Sequence, residues 1–311
     1  MRPIVTLTVN PAIDMSTRAE RVEPDRKLRC ARPRRDPGGG GINVARAVRR
    51  LGGASTAVHL AGGRTGAMLR DLLDRERVDQ RPVRTEASTR ENVIVREEST
   101  GRQYRFGMPG AEVGEEEGRR CLEVLAALAA ETGWLVASGS LAPGVGTDFY
   151  GRVADLAADT DARLVVDTSG PALRAAVEAG VYLIKPNVRE FHELVGREFE
   201  NDAERVAEAR RLIERGRCRA IVISLGAGGA QLVTAERAEF VRSPTVPIRS
   251  RVGAGDSTVA GIVLGLARGM ELARAVRLGV AAGAAAVMTD GTELCRREDT
   301  ERLFGEITGD D

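Results

Sequence analysis

Residues 251–257 read Arg251-Val252-Gly253-Ala254-Gly255-Asp256-Ser257, and the run behind them, Ser257 to Ala267, has the length and the small apolar residues of a buried helix. Gly253, Ala254 and Gly255 therefore fall at a helix start. Such a start presents unpaired backbone N–H groups and the positive end of the helix dipole, and residues without side chains let a phosphate come close to them. Asp256 stands out there, because a carboxylate beside an anion site is repelled by its ligand unless it takes part in the chemistry. As a general base it would take the proton of a substrate hydroxyl while backbone N–H groups stabilise the transferring phosphoryl. As a plain first-turn residue it would be favoured by the dipole and by capping alone. The stretch by itself leaves both readings open.

Moving upstream, Ser224-Leu225-Gly226-Ala227-Gly228-Gly229-Ala230 ends an apolar strand (Arg219 to Leu225) in a glycine turn where a nucleotide could lie against backbone. Two further strands are expected near 231–234 and 239–242. Strand Tyr182 to Ile184 runs into Lys185-Pro186-Asn187-Val188-Arg189-Glu190 and a helix towards Val195. A lysine there can neutralise a phosphate, and Asn187 and Glu190 suit hydrated Mg²⁺; a capped βα turn is the plain alternative. Between 115 and 179 strands and helices alternate: helix 115–130, strand Trp134–Ala137 ending at Gly139-Ser140, helix 147–159, strand Leu164–Asp167, helix 171–179. This alternation implies an α/β fold, a mostly parallel sheet with helices on both faces. Leu272 to Met288 carries Arg274 and Arg277 and is rich in Ala and Gly, which argues for a buried helix rather than a membrane span.

The N-terminal third holds the second glycine cluster. Strand Ile4 to Val9 ends at Asn10-Pro11 and delivers Asp14 to the edge where parallel sheets bind polar ligands. Pro37-Gly38-Gly39-Gly40-Gly41-Ile42-Asn43-Val44-Ala45-Arg46 places four glycines before a helix expected at Ile42–Leu51. The spacing fits neither GxxxxGK[ST] nor GxGxxG. Ser55–Leu60 reads as a strand and 65–77 as a helix. Residues 15–36, polar and proline-punctuated, and the hairpin Val93–Arg96/Gln103–Phe106 read as strands of a small lid inserted from about 15–36 and 88–108. The lid carries Lys27, Arg90 and Arg105, and arginine on a lid suits a bidentate grip on phosphate.

Composition narrows the chemistry. The chain has 311 residues, 46 basic and 45 acidic, for a formal charge of +1. No global field recruits nucleic acid or an acidic membrane, and 3 % aromatics gives little for base stacking. The only histidines are His59 and His192, too few for a His-based metal cluster. Cys30, Cys121, Cys218 and Cys295 are too scattered for a metal or disulfide framework and read as reduced. The N-terminal segment has no leader-like apolar core, so a cytoplasmic location is expected. All but two of the 46 basic residues are arginine, and lysine persists only at 27 and 185. Those positions call for a compact, flexible ammonium rather than a guanidinium, if chance retention is set aside.

These motifs in this order resemble the ribokinase-like sugar kinases, the PfkB family, across nearly the whole chain. Gly-Gly-Gly-Gly-Ile-Asn-Val-Ala-Arg at 38–46, Lys-Pro-Asn-x-x-Glu at 185–190 and Val-Gly-Ala-Gly-Asp-Ser at 252–257 carry the likeness. Lys27-Leu28-Arg29-Cys30, Gln103-Tyr104-Arg105-Phe106 and Met108-Pro109-Gly110 look like the subgroup of type II 6-phosphofructokinases, whereas Asn10-Pro11-Ala12-Ile13-Asp14 looks like the start of 1-phosphofructokinases and tagatose-6-phosphate kinases. The resemblance implies a single ribokinase-like domain over 1–311 and ATP-dependent phosphorylation of a phosphorylated ketohexose, fructose 6-phosphate foremost, as in glycolysis. It implies Asp256 as base with an anion hole at Gly253, Ala254 and Gly255, and a sugar held by Asp14, Gly39, Gly40 and Asn43. Lys27, Arg90 and Arg105, with Ser140 nearby, would neutralise the existing phosphate. Lys185, Asn187, Ser224, Gly226, Gly228 and Gly229 would line the ATP side, with Glu190 organising Mg²⁺ through water. The family also implies a K⁺ site near Ser250, Val252, Ala286 and Gly291, although Thr289 and Glu293 stand where the pattern has Asn and Arg. A homodimer pairing lid to lid is expected, since lid strands have an apolar side to cover. The rival of a different class is a sugar-phosphate or nucleotide sensor without catalysis, which would gain nothing from a base facing a phosphate.

Overall fold

A computed structural model describes residues 2–309. Thirteen strands form in chain order: β1 (Ile4–Thr8), β2 (Ala12–Ala19), β3 (Arg34–Gly38), β4 (Thr56–Gly62), β5 (Asp79–Thr85), β6 (Arg90–Glu97), β7 (Gln103–Phe106), β8 (Trp134–Ser138), β9 (Arg163–Asp167), β10 (Val181–Ile184), β11 (Cys218–Ser224), β12 (Gly229–Val233) and β13 (Ala238–Arg242). The helices are α1 (Gly40–Arg50), α2 (Gly63–Arg75), α3 (Glu115–Ala129), α4 (Phe149–Ala158), α5 (Gly170–Ala179), α6 (Val188–Val195), α7 (Asp202–Glu214), α8 (Ala254–Ala267), α9 (Leu272–Val287) and α10 (Arg297–Thr308).

Nine strands make one sheet in the order β13-β12-β11-β10-β9-β8-β1-β4-β5. It is parallel from β11 to β5, with β12 and β13 added antiparallel at one edge. Its central strands are near-continuous apolar runs because helices cover both faces. One face packs α1, α8, α9 and α10 around Val44, Val136, Val222 and Val263; the other packs α3 to α7 around Leu7, Leu135, Tyr150 and Phe191. The chain leaves β1 for β4 and β5, then crosses back to β8 on the other side of β1. A crevice opens where the strand order reverses, outside the carboxyl ends of the strands.

A second sheet, β3-β2-β6-β7, carries the remaining four strands. β2 pairs antiparallel with β3 and parallel with β6, and β6 and β7 form the expected hairpin. Residues 20–33 between β2 and β3 are irregular apart from a short turn, so the strands expected within 15–36 occupy only its two ends. Among the described residues no helix is long and apolar enough to cross a membrane.

Three local readings change. The helix expected at Ile42 begins at Gly40, and its first two residues must be glycine, because a Cβ on Gly41 would collide with the Leu7 carbonyl and one on Gly40 with Ser138. Two of the four glycines are therefore a helix turn seated on the ends of β1 and β8. β5 is an addition, since Pro82 and a charge at every second or third position read as loop; it lies at the sheet edge, where proline is tolerated. α7 is another, because its apolar stripe, with Ala209 and Ile213 buried, is narrow within a charged run.

Candidate active site

Gly253 adopts φ 75°, a left-handed turn closed to larger residues, and α8 begins at the next residue. Asp256 thus sits in the first turn of a helix whose remaining length is buried and apolar. Its Oδ2 accepts a hydrogen bond from Asn43 Nδ2 at 2.9 Å. Asn43 belongs to the first turns of α1, which is held against β1 by the bond from Ile42 N to Thr8 Oγ1 at 2.7 Å. Two glycine-led helix starts therefore meet face to face. Burial, reinforced by the nearby Asp167 carboxylate, pushes the Asp256 pKa up to about 6, against the pull of Asn43 and Lys185.

A cavity of about 260 Å³ opens beside Asp256. Gly39, Gly40, Asn43, Gly139, Val252 and Gly253 form its floor, and Asp14, Arg90, Asn92, Arg105, Phe106 and Gly107 of the small sheet form the opposite wall. Asp14 is buried and accepts from Asn92 Nδ2 at 2.8 Å; burial raises its pKa despite that bond and the neighbouring arginines. Arg90 spends Nη1 on the Met108 carbonyl (2.8 Å) and Nη2 on the Asn10 carbonyl (3.0 Å), and its buried Nε has no protein partner. Burial lowers the Arg90 pKa, with Asp14 opposing. One wall thus offers cationic groups and the other a base at a helix N-terminus.

Behind the α8 turn, Lys185 is buried and pairs with Asp167 at 3.0 Å. Burial would drive its ammonium towards neutrality, but Asp167, helped by Asp256 and Glu190, holds the pKa above its ordinary value. A Cβ on Gly255 would stand 3.6 Å from Lys185 Nζ, so the ammonium lies under the glycine turn. Asn187 caps α6: its Oδ1 accepts from Glu190 N (2.9 Å) while Glu190 Oε2 accepts from Asn187 N (2.8 Å). Asn187 also bridges to Ser224, which brings the β11 turn alongside. Gly226 has φ 59° in open space and Gly228 is exposed, whereas Gly229, at φ 108°, is required because a Cβ would strike the Val241 carbonyl.

The structure thus brings together Asp14, Gly39, Gly40, Asn43, Arg90, Arg105, Gly253 and Asp256 around one cavity, with Lys185 beneath Gly255. Lys27 does not join them; it is exposed in the 20–33 segment and makes no ion pair among the described residues. Ser140 is also outside, its Oγ accepting from Asn10 Nδ2 at 3.2 Å. Ser250 meets the end of α9 and the turn after it, its N donating to the Val287 carbonyl (3.2 Å) and its Oγ to the Gly291 carbonyl (2.7 Å) while accepting from Val252 N (3.2 Å). The Ala286 carbonyl accepts from Thr289 N (3.2 Å), and the one Thr289 hydroxyl stands between the carbonyls of Ala286 (2.8 Å) and Glu293. Sequence reasoning missed Asp167, Asn92 and Asn10. A carboxylate ending strand β9 was the one available signal; Asn92 reaches the cavity only because β6 pairs with β2, which sets it beside Asp14, and Asn10 joins only through its carbonyl, which accepts from Arg90.

The model of the pfkB family carbohydrate kinases matches residues 3–299. A Mycobacterium tuberculosis protein named ATP-dependent 6-phosphofructokinase isozyme 2 is 48 % identical over 301 residues, 97 % of this chain and 88 % of that one. The Escherichia coli protein of the same name is 42 % identical, covering 98 % and 99 %. A Bacillus subtilis 1-phosphofructokinase is 32 % identical, covering 98 % of both. Among solved structures, E. coli phosphofructokinase-2 in complex with potassium superposes with a TM-score of 0.95 at 42 % identity over 99 % of this chain and 100 % of that one. The same E. coli protein in complex with fructose-6-phosphate gives 0.94 at 40 %, with the same coverage.

Proposed function

The chain belongs to the pfkB family of carbohydrate kinases, and on that footing we propose that it transfers the γ-phosphoryl of ATP to the 1-hydroxyl of fructose 6-phosphate, yielding fructose 1,6-bisphosphate and ADP. Its class is that of a phosphotransferase with an alcohol acceptor, using ATP with a divalent metal. Asp256 takes the hydroxyl proton, the oxygen attacks the γ-phosphorus, and the β–γ bridging oxygen leaves with ADP. A base with a pKa of about 6 is ionised at neutral pH yet basic enough to accept that proton. The N–H groups of Gly253, Ala254 and Gly255 and the Lys185 ammonium meet the charge on the transferring group. Asp14 and Asn43 hold sugar hydroxyls, and Arg90 and Arg105 face the 6-phosphate.

The observation that carries this reading is the placement of Asp256, at a glycine-led helix start and across 260 Å³ from an arginine-bearing wall. Ser224 to Gly229, with Asn187, suit the nucleotide. Glu190 has one oxygen committed to its capping bond, which fits a water-mediated rather than direct contact with Mg²⁺; that ion, when bound, neutralises phosphate charge. The donor set for K⁺ fits only in part, since the Ala286 carbonyl already accepts from Thr289 N and has the Thr289 hydroxyl, shared with the Glu293 carbonyl, beside it. The four-stranded sheet acts as a lid, and a lid-to-lid homodimer would cover its exposed Phe106 and Met108.

Fructose 1-phosphate is the second reading, favoured by the Asn10–Asp14 segment and the B. subtilis relative. Coupled ADP release with Mg-ATP decides, comparing fructose 6-phosphate, tagatose 6-phosphate and fructose 1-phosphate. The highest kcat/KM is expected with fructose 6-phosphate; a higher value with another sugar overturns the substrate but not the reaction.

A further inference from the structure

Arg46 has no accessible surface, yet it is charged and does not line the cavity. A buried guanidinium is costly unless each donor is satisfied, and an apolar residue of the same volume would avoid the cost. Here four of the five donors make hydrogen bonds and the fifth faces a carboxylate. Nε and Nη2 reach the two Glu76 oxygens at 2.8 and 2.7 Å, and Nη1 reaches the Pro37 carbonyl at 2.8 Å and Asn43 Oδ1 at 3.2 Å. Asp36 Oδ1 lies 3.8 Å from Nη2.

The contact to Asn43 has a consequence for Asp256. An asparagine amide has an oxygen and an NH₂ of nearly the same shape, and only its partners decide which way each points. With Oδ1 taken by Arg46, Nδ2 is the group left to face Asp256 Oδ2 at 2.9 Å. Turning the amide over would set NH₂ against a guanidinium and oxygen against a carboxylate, so both contacts would become repulsive.

We propose that Arg46 is a positioning residue for phosphoryl transfer: anchored by Glu76, it holds the Asn43 amide with its NH₂ on Asp256, so that one carboxylate oxygen is tethered and the other is aimed at the substrate hydroxyl. This rests on the reading of Asp256 as the base. The charged groups around Asp256 are Asp14 of β2, Asp167 at the end of β9, Lys185 after β10, and Arg90 and Arg105 across the cavity. Among the described residues, Asn43 alone donates a side-chain hydrogen bond to it. Losing that donor removes a stabiliser of the ionised form while Asp14 and Asp167 still repel it, so the acid limb of kcat moves to higher pH.

The test is kcat against pH at saturating substrates for the parent, Arg46→Met, Arg46→Lys, Glu76→Gln and Asp256→Asn. Arg46→Met is expected to lower kcat at neutral pH about tenfold to a hundredfold, as misplacement of a reacting group does. Its acid limb should move to higher pH by about 0.5 or more, with KM for the sugar changing less than kcat. Arg46→Lys, which keeps the charge on a single donating nitrogen, should recover part of that movement, and Glu76→Gln, outside the cavity, should move the limb the same way by less. Folded Arg46 variants with reduced kcat but an unmoved limb overturn the inference. If Arg46→Met does not fold, an unmoved limb in Glu76→Gln overturns it equally. An acid limb that persists in Asp256→Asn overturns the base reading instead, and this inference falls with it.

Discussion

Lys185 and Asp167 close a buried ion pair, Nζ to Oδ1 at 3.0 Å, directly beneath the Gly255 turn. The pair keeps a cation charged where the proposed reaction would carry the phosphoryl group, and Asp167 also repels the ionised form of Asp256. Replacing Asp167 by Asn should act on both. The unpartnered Lys185 should destabilise the fold by about 3 kcal/mol, the usual cost of breaking a buried pair. With a like charge gone, the Asp256 pKa should fall and the acid limb of kcat should move to lower pH. Denaturant unfolding and a pH–rate profile check both, and a limb moving upward would contradict the coupling.

Asp256→Asn should remove general-base catalysis and lower kcat by about 10²- to 10⁴-fold. Stability should move the other way. The Asp256 pKa is raised to about 6 on folding, above its unfolded value, so ionising it costs stability above pH 6, and that cost vanishes as pH falls below the unfolded value. A carboxyl pKa raised that far corresponds to roughly 2 to 3 kcal/mol. The variant should therefore melt higher than the parent at pH 7.5 and no higher at pH 4, as thermal scans at the two pH values would show.

Gly255→Ala and Gly41→Ala should separate chemistry from folding. At 255 the new methyl would make ordinary contact with Lys185 Nζ at 3.6 Å, so the variant should fold normally while its methyl blocks the phosphoryl, lowering kcat. At 41 the methyl would meet the Leu7 carbonyl, so Tm should fall sharply. Melting curves alongside kcat for both variants give the comparison.

Arg105→Ala and Arg90→Ala should differ in kind. Arg105 is exposed at the cavity wall and makes no ion pair among the described residues, so its loss should raise KM for the sugar phosphate about 10- to 100-fold, the worth of a charged hydrogen bond, with Tm unchanged. Arg90 also braces the Met108 and Asn10 carbonyls, and its loss should lower Tm as well. Initial-rate kinetics and thermal scans distinguish the two.

Because Thr289 N already donates to the Ala286 carbonyl and the Thr289 hydroxyl stands beside it, replacing K⁺ by tetramethylammonium at constant ionic strength should change kcat only a few-fold. A loss of most activity would show that the Thr289 hydroxyl yields the carbonyl to the ion.

Much of the site was legible in the chain. Glycine runs that precede apolar helices mark helix starts wherever they occur, so Gly253–Asp256 and Gly39–Asn43 could be read as anion-binding turns before any contact was known. The alternation of strands and helices from 115 onward dictated a parallel sheet, because each unit must bury both its apolar strand and one helix face. Edge strand β5 and helix α7 escaped because their apolar pattern is sparse, and what makes them regular is a neighbour: β4 for the one, β11 and β12 for the other.

The linear sequence determined the residue types available and the local turn chemistry: which helices begin on glycine, where the two lysines persist, and that Asp256 follows a glycine turn of the kind that suits an anion. Only the tertiary structure decided which of those elements face each other. Asn43 and Asp256 are 213 residues apart and meet because α1 and α8 pack against each other on one face of the large sheet, which brings their starts together. The pKa of Asp256, the pairing of Lys185 with Asp167 and the hold of Arg46 on Asn43 all depend on burial and on distances of about 3 Å between distant segments. Hydrogen bonds and desolvation act through space at that range, and no spacing along the chain encodes them.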